Sequence, residues 1–245
     1  RVLEALFAEI DRDLEEELDL LQPSPWFRYR FPDGARIDVH HDLERTLAGI
    51  ERAFGSRAAE EMAQFLGYAR RIWEAAAPNF IFAPAPSLGG MLSLGLSAPR
   101  EVWNIDPLST MWDAITSRVS DERLRWLLAR YATYVGADPR KAPATLNCIA
   151  WVELGGGAYG VSGGMFELAR TLARIAEEMG VEFRYETPVE RLVMEEGAVR
   201  RVVAADGEEV VDAAVVNADV THLVEDLAAE TGLAGLESDA PPSMS

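Results

Sequence analysis

Gly155-Gly156-Gly157-Ala158-Tyr159-Gly160-Val161-Ser162-Gly163-Gly164 places six glycines in ten residues. So dense a run marks a place where the backbone must turn tightly or come close to something flat. Directly after it, Met165 to Met179 carries Leu168, Leu172, Ile175 and Met179 on one helical stripe, with Gly180 as its stop. Val181–Tyr185 then reads as a strand. Val189–Met194 and Val199–Ala204 read as two more, joined through Glu195-Glu196-Gly197. Asp206-Gly207 turns into Val210-Val211, and Ala213–Val216 reads as a short buried strand before Asn217-Ala218-Asp219. Helix and strand interleaved in this way predict an α/β (mixed α+β) chain.

Upstream the chain is mostly helical. Leu3, Leu6, Phe7, Ile10, Leu14 and Leu18 share one stripe and predict a helix over residues 3–21, ended by Pro23 and Pro25. Trp26–Phe31 alternates aromatic and basic residues, Pro32-Asp33-Gly34 turns, and Ala35–Val39 returns, which makes a β-hairpin. Residues 42–76 read as two helices, capped by Asp42 and broken at Gly55-Ser56. Asp106–Val119 and Asp121–Tyr134 read as two more, with Asp121 as an N-cap and Gly136 and Pro139 closing the second.

Ala75 to Pro99 is 25 residues without a charge. Pro78, Pro84, Pro86, Gly89, Gly90 and Gly95 interrupt it, so it is not a transmembrane helix. It is either a buried loop with a short helix, or an apolar lip that dips into a bilayer or guards an apolar tunnel.

The formal net charge of −18 excludes a nucleic-acid backbone as partner and disfavours anionic lipid through electrostatics. All basic residues except Lys141 are arginine, which fits a GC-rich genome or adaptation to high salt. Cys148 is the only cysteine, so no disulfide within the chain and no cysteine zinc cluster can form. Its apolar setting makes it a core residue rather than a nucleophile. His40, His41 and His222 are too few and too scattered for a metal triad, and no metal is expected.

Gly155–Gly160 matches G-x-G-x-x-G, the turn that cradles a pyrophosphate at a strand–helix junction, with Glu186 as a conceivable ribose acid. The context is poor. Val161–Gly164 intervenes before the helix, and Glu186 lies further on than the usual ~20 residues. A plain glycine-rich turn, or a loop packed against a flat cofactor, are the other readings.

Five runs, in order, bring a resemblance into view: Trp26–Asp38; Arg130-Tyr131-Ala132-Thr133-Tyr134-Val135-Gly136 with Ala142–Leu146; Tyr159–Met165; Val189–Leu192; and Val216–Asp219. Together they resemble the phytoene desaturase family of FAD-dependent carotenoid desaturases. The Gly163-Gly164-Met165 form and the Pro84–Leu88 run lean toward its hydroxyneurosporene (methoxyneurosporene) branch. The resemblance implies a partial FAD-binding Rossmann-like domain plus a helix-rich substrate domain. The expected division is residues 1–150 for the substrate domain, 151–222 for a central slice of the FAD domain, and 223–245 for a return or linker. The chain would be an internal fragment, with the pyrophosphate grip lying outside it.

Carried over residue by residue, Gly163 and Gly164 approach the flavin or the reacting polyene. Val189 touches the adenine end through its backbone, and Asn217 and Ala218 lie near the cofactor. Bland readings stand beside these: Val189 as a hairpin residue and Asn217 as a strand-end turn residue. Arg130, Tyr131, Tyr134 and Tyr159 are the implied substrate contacts, with Arg130 either orienting a substrate or quinone end or forming a structural ion pair. The catalytic residues are not specified, which suits chemistry carried by a cofactor. The implied partners are a carotenoid, a quinone or oxygen as electron acceptor, and a membrane met peripherally through residues 75–99 from the cytoplasmic side. The alternatives are an amine-oxidase-like flavoenzyme acting on another apolar substrate, and a non-catalytic lipid- or partner-binding module.

Overall fold

The structure is a computed structural model and describes residues 2–83, 103–219, 222, 223 and 227. The Pro84–Leu88 run and the rest of the expected apolar segment to residue 99, with nearly all of the expected return over residues 223–245, lie outside the described residues. Two compact units divide the chain, residues 1–172 and residues 173–245.

The first unit opens with α1 (Val2–Glu9) and α2 (Leu14–Glu17), followed by the two-residue strand β1 (Leu20–Leu21). A single helix over 3–21 is therefore not formed. Asp11 takes φ 53°, and Asp13 accepts a hydrogen bond from the Glu15 amide at 2.8 Å. Aspartate competes with helix backbone for its own hydrogen bonds, so two of them two residues apart end one helix and cap the next.

The hairpin forms where expected. β2 (Phe27–Arg30) pairs antiparallel with β3 (Arg36–Val39), Phe27 opposite Val39 and Arg30 opposite Arg36. α3 (Leu43–Phe54) starts at Asp42, whose Oδ1 accepts from the Glu44 and Arg45 amides. Gly55 separates it from α4 (Ser56–Ala76), which runs on through a wider π-type turn at Ala77–Ile81.

Next come α5 (Met111–Thr116), capped by Thr110, and α6 (Glu122–Ala129), capped by Asp121. The first is shorter than expected because Asp106 sits at φ 51°, outside helical backbone. A 3-10 helix, Arg130–Val135, continues α6 and closes on Gly136 in the left-handed conformation. A second 3-10 turn, Ala144–Asn147, leads into α7 (Cys148–Gly156), and β4 (Gly160–Val161) follows. α8 (Phe166–Glu178) spans the boundary between the units.

The core of this unit centres on α4. Met62, Phe65, Leu66, Ala69 and Ile72 are at most 2% exposed and pack with Ile37 and Val39 of the hairpin, Ile50 of α3, Leu124 and Leu128 of α6, and Ala150 and Leu154 of α7. Burying each large aliphatic or aromatic side chain contributes about 1.5–3 kcal/mol. Cys148 is half-buried at the margin of this core, and burial pushes its thiol pKa up to about 11. It stays protonated at neutral pH.

The second unit is a three-stranded antiparallel meander: β5 (Val189–Glu195), β6 (Ala198–Ala204) and β7 (Gly207–Val210). Glu196 and Gly197 turn the first hairpin with φ 52° and 78°. Two positive φ values match the strands' right-handed twist. Arg201 on the middle strand reaches Glu195 at 2.8 Å and Glu208 at 2.6 Å, tying both neighbours to it.

Two expected strands are not formed. Val181–Tyr185 makes no ladder among the described residues, and the rings of Phe183 and Tyr185 stack at 5.8 Å instead. Ala213–Val216 is exposed rather than buried, with Val215 at 99%. A strand of a parallel sheet gets its hydrogen bonds and its burial from neighbours on both sides. None lies beside these segments among the described residues.

Candidate functional site

Three elements of the first unit meet around one carboxylate. Glu153, on the second turn of α7, accepts hydrogen bonds from Arg130 Nη2 at 2.6 Å, Tyr131 OH at 2.8 Å and Tyr134 OH at 2.5 Å. The 3-10 turn after α6 brings Arg130, Tyr131 and Tyr134 to one side of the chain, and the last two rings stack at 6.2 Å. β2 supplies the remaining wall. The Arg130 guanidinium lies 5.5 Å from the centre of the Phe27 ring, 5.7 Å from Tyr29 and 4.6 Å from Tyr131.

Burial is graded across this knot. Tyr131 is fully buried, while Phe27 and Tyr134 reach the surface. Burial, followed by the nearby Glu153 charge, raises the Tyr131 pKa far above the ordinary phenol value, so it is a hydrogen-bond donor at any working pH. Burial opposes the charge on Arg130, but Tyr29 and Glu153 more than offset it and keep the guanidinium protonated. Arg130 Nε and Tyr29 OH are buried without a hydrogen-bond partner among the described residues. Buried polar groups are normally satisfied, so these two donors beside the aromatic rim are unspent hydrogen-bonding capacity of the knot.

The glycine run does two jobs. Gly155 and Gly156 lie in the last turn of α7 rather than after a strand, so the first glycines of the G-x-G-x-x-G match are at the wrong junction for a pyrophosphate. Trp151 covers Gly155 so closely that an added Cβ would sit 2.5 Å from its ring. Gly157, at φ 82°, lies against His41, whose ring also meets Tyr159 edge-on at 6.2 Å. Beyond it, β4 pairs with β1, Leu20 opposite Val161, and the Ser162 amide donates to the Asp19 carbonyl at 2.9 Å. The turn Val161–Gly164 is closed by the Gly164 amide at 2.9 Å, with φ 81° and 104° at Gly163 and Gly164. A Cβ on Gly164 would meet nothing within 4 Å among the described residues.

In the second unit Val189 opens β5 opposite Ala204. It lines a cleft of about 550 Å³ with Arg184, Thr187, Val202, Asp206 and Glu208 among its walls. Asn217 and Ala218 are exposed and join no ladder among the described residues. Among the described residues no cluster of His, Cys, Asp and Glu could hold a metal, and no helix is long and apolar enough to cross a membrane.

The sequence model for the family described as "Flavin containing amine oxidoreductase" matches residues 4–236. The chain belongs to this family. Among its flavin amine oxidoreductase relatives, the hydroxyneurosporene desaturase of Rhodobacter capsulatus is 33% identical over 245 residues, all of this chain and 49% of that protein. The hydroxyneurosporene desaturase of Rubrivivax gelatinosus is 33% identical over 229 residues, 92% of this chain and 43% of its own. An all-trans-zeta-carotene desaturase of Myxococcus xanthus is 32% identical over 227 residues, 92% of this chain and 42% of its own. The chain thus spans about half the length of the curated relatives it matches.

The structure brings Arg130, Tyr131 and Tyr134 together; Tyr159 sits apart from that knot, on His41. Sequence reasoning did not single out Glu153, Phe27 or Tyr29. A signal for Glu153 was there: it is the only charged residue between Lys141 and Glu167.

Proposed function

We propose that this chain is part of an FAD-dependent carotenoid desaturase of the hydroxyneurosporene or phytoene type. The observation that carries the reading is the similarity to carotenoid desaturases along the whole chain rather than at one motif. In that reaction hydride leaves one carbon of the polyene and a proton leaves its neighbour. A bound flavin would supply the two-electron acceptor, and oxygen or a quinone would take the electrons on.

The described residues fit part of a flavin's needs. The Gly163–Gly164 turn offers backbone with no side chain and open space above Gly164, which a planar ring requires. No strand–glycine–helix pyrophosphate cradle is formed by Gly155–Gly160, so that grip belongs to residues elsewhere in the protein. Val189 is assigned to the adenine end, and Asn217 and Ala218 to the same cofactor. Residues 1–150 are assigned to the substrate domain, 151–222 to the flavin domain and 223–245 to the return.

Phe27, Tyr29, Tyr131 and Tyr134 provide the aromatic surface that an apolar chain prefers to water. Arg130 Nε and Tyr29 OH then serve an oxygen at the substrate end. Peripheral membrane contact from the cytoplasmic side, through the uncharged 75–99 segment, would give access to a lipid-soluble substrate; Ile81 and Phe82 at its described end are exposed.

The test is to express the full-length protein, record its flavin spectrum, and analyse products from a panel of acyclic carotenoids. Flavin absorption with a lengthened chromophore in the product is expected. Bound flavin without turnover of any carotenoid would move the reading to an amine-oxidase-like enzyme on another apolar substrate. Absence of flavin would leave a binding module.

A further inference from the structure

On a chain of net charge −18 a basic cleft is conspicuous, and one lies on the outer face of the hairpin. β3 turns Ile37 and Val39 into the core, so Arg36 and Asp38 face the other way, with His40 following in the same period. β2 places Arg28 opposite Asp38. α3 lies alongside with Arg45, Gly49 and Arg52 at i, i+4 and i+7, which is one stripe of a helix. Gly49 keeps the floor open: an added Cβ would sit 3.9 Å from both the Asp38 carbonyl oxygen and Arg52 Nη2. With Pro25 and Ala53 these residues line a cleft of about 530 Å³, within the range of small-molecule sites.

Four guanidinium groups share this space with a single carboxylate. That carboxylate is already engaged. Arg28 grips Asp38 with two bonds of 2.7 and 2.9 Å, and Arg36 lies 3.8 Å from it. The side chains of Arg45 and Arg52 make no hydrogen bond or ion pair among the described residues. His40 is buried, with Nδ1 held 3.0 Å from Ser24 Oγ. Burial lowers its pKa first and the Arg45 charge adds to this, while Asp38 and Asp42 act the other way.

Crowded like charges with open space between them are relieved by an anion. Planar guanidinium forks match phosphate oxygens two at a time, and an excess of several positive charges favours a multiply charged phosphate over a single carboxylate. We propose that this cleft binds a phosphate-bearing anion, gripped by Arg45 and Arg52 with Arg36 on the facing wall. The site is separate from the aromatic knot and stands independently of the desaturase reading. A soluble phosphate ester and a phospholipid headgroup share the chemistry it recognises.

Two binding arms separate these sources in the full-length protein. One titrates inorganic pyrophosphate by calorimetry. The other sediments the protein with phosphatidylglycerol vesicles against phosphatidylcholine vesicles. In whichever arm binds, Arg45→Gln/Arg52→Gln should weaken affinity at least about tenfold, because charge-assisted bonds to phosphate are lost. Arg57→Gln/Arg71→Gln removes the same charge from α4 and should change it less than about twofold, since screened distant charges contribute little. Gly49→Leu keeps every charge while filling the floor, and should weaken binding too. Loss in the pyrophosphate arm supports a soluble ligand, and loss in the vesicle arm supports a headgroup. Wild-type protein that binds neither probe, or a control that loses as much as the cleft variants, overturns the proposal.

Discussion

Glu153 shows how one side chain can organise a site. Its carboxylate accepts three hydrogen bonds and sits at 10% side-chain exposure beside a guanidinium at 32%. Glu153→Leu would leave Arg130 without its counter-ion and two phenols without an acceptor. The loss should be about 2–4 kcal/mol, toward the upper range for breaking a largely buried pair. Glu153→Gln keeps an acceptor and should lose roughly half as much. Urea unfolding midpoints measure both, and a Leu variant as stable as the wild type would remove Glu153 from the organising role. Arg130 was legible as a residue with two roles, substrate orientation or ion pair. The structure forms the ion pair with Glu153, and Nε of the same guanidinium is without a hydrogen-bond partner among the described residues. What could not be read from sequence was the partner, because 23 residues of chain separate Arg130 from Glu153 and only folding brings them together.

At the scale of elements, local chemistry predicted the helix boundaries well wherever a cap was present. Asp42 and Asp121 cap α3 and α6 as their types require. The hairpin 26–39 and the meander hairpin 189–204 follow from period-two patterning and their turns. Gly55 between α3 and α4 takes φ 92° and ψ 164°, a conformation that is nearly glycine's alone. Gly55→Ala should therefore destabilise by about 1–3 kcal/mol. Gly67→Ala, in ordinary helix with nothing within 4 Å of the new Cβ, should stabilise by about 0.5–1 kcal/mol. Thermal melts of the two variants should move in opposite directions; a shift of the same sign in both would contradict the backbone argument. The glycine run was the least legible element. Its composition signalled close approach but not what approached: Trp151 at Gly155, His41 at Gly157, and open space at Gly164.

Across the whole molecule, acid should destabilise despite the large negative charge. Asp121 is held below its ordinary pKa chiefly by Arg123, and Asp33 chiefly by the Ala35 amide. Burial works against the shift at Glu61 and Asp106, yet the Ser120 and Tyr68 hydroxyls still hold them low. His40 is kept low mainly by burial. Each of these groups binds protons more readily when unfolded, so stability falls as pH drops, beginning with His40 below about pH 6.5 and steepening with the carboxylates below about pH 4.5. Urea midpoints should decrease in order at pH 7.5, 5.5 and 3.5. A rise toward acid would mean that relief of the −18 net charge outweighs the lost hydrogen bonds and ion pairs.

The sequence by itself determined the mixed helix–sheet class, the caps, the two hairpins and the family, because each rests on periodicity or on short runs of neighbouring residues. Tertiary structure alone decided that residues 3–21 split, with Leu20–Leu21 pairing onto the glycine turn. It also decided that Val181–Tyr185 and Ala213–Val216 join no ladder among the described residues, and that Glu153 collects Arg130, Tyr131 and Tyr134. A strand needs a neighbour and a buried ion needs a counter-ion, and neither partner is close in sequence.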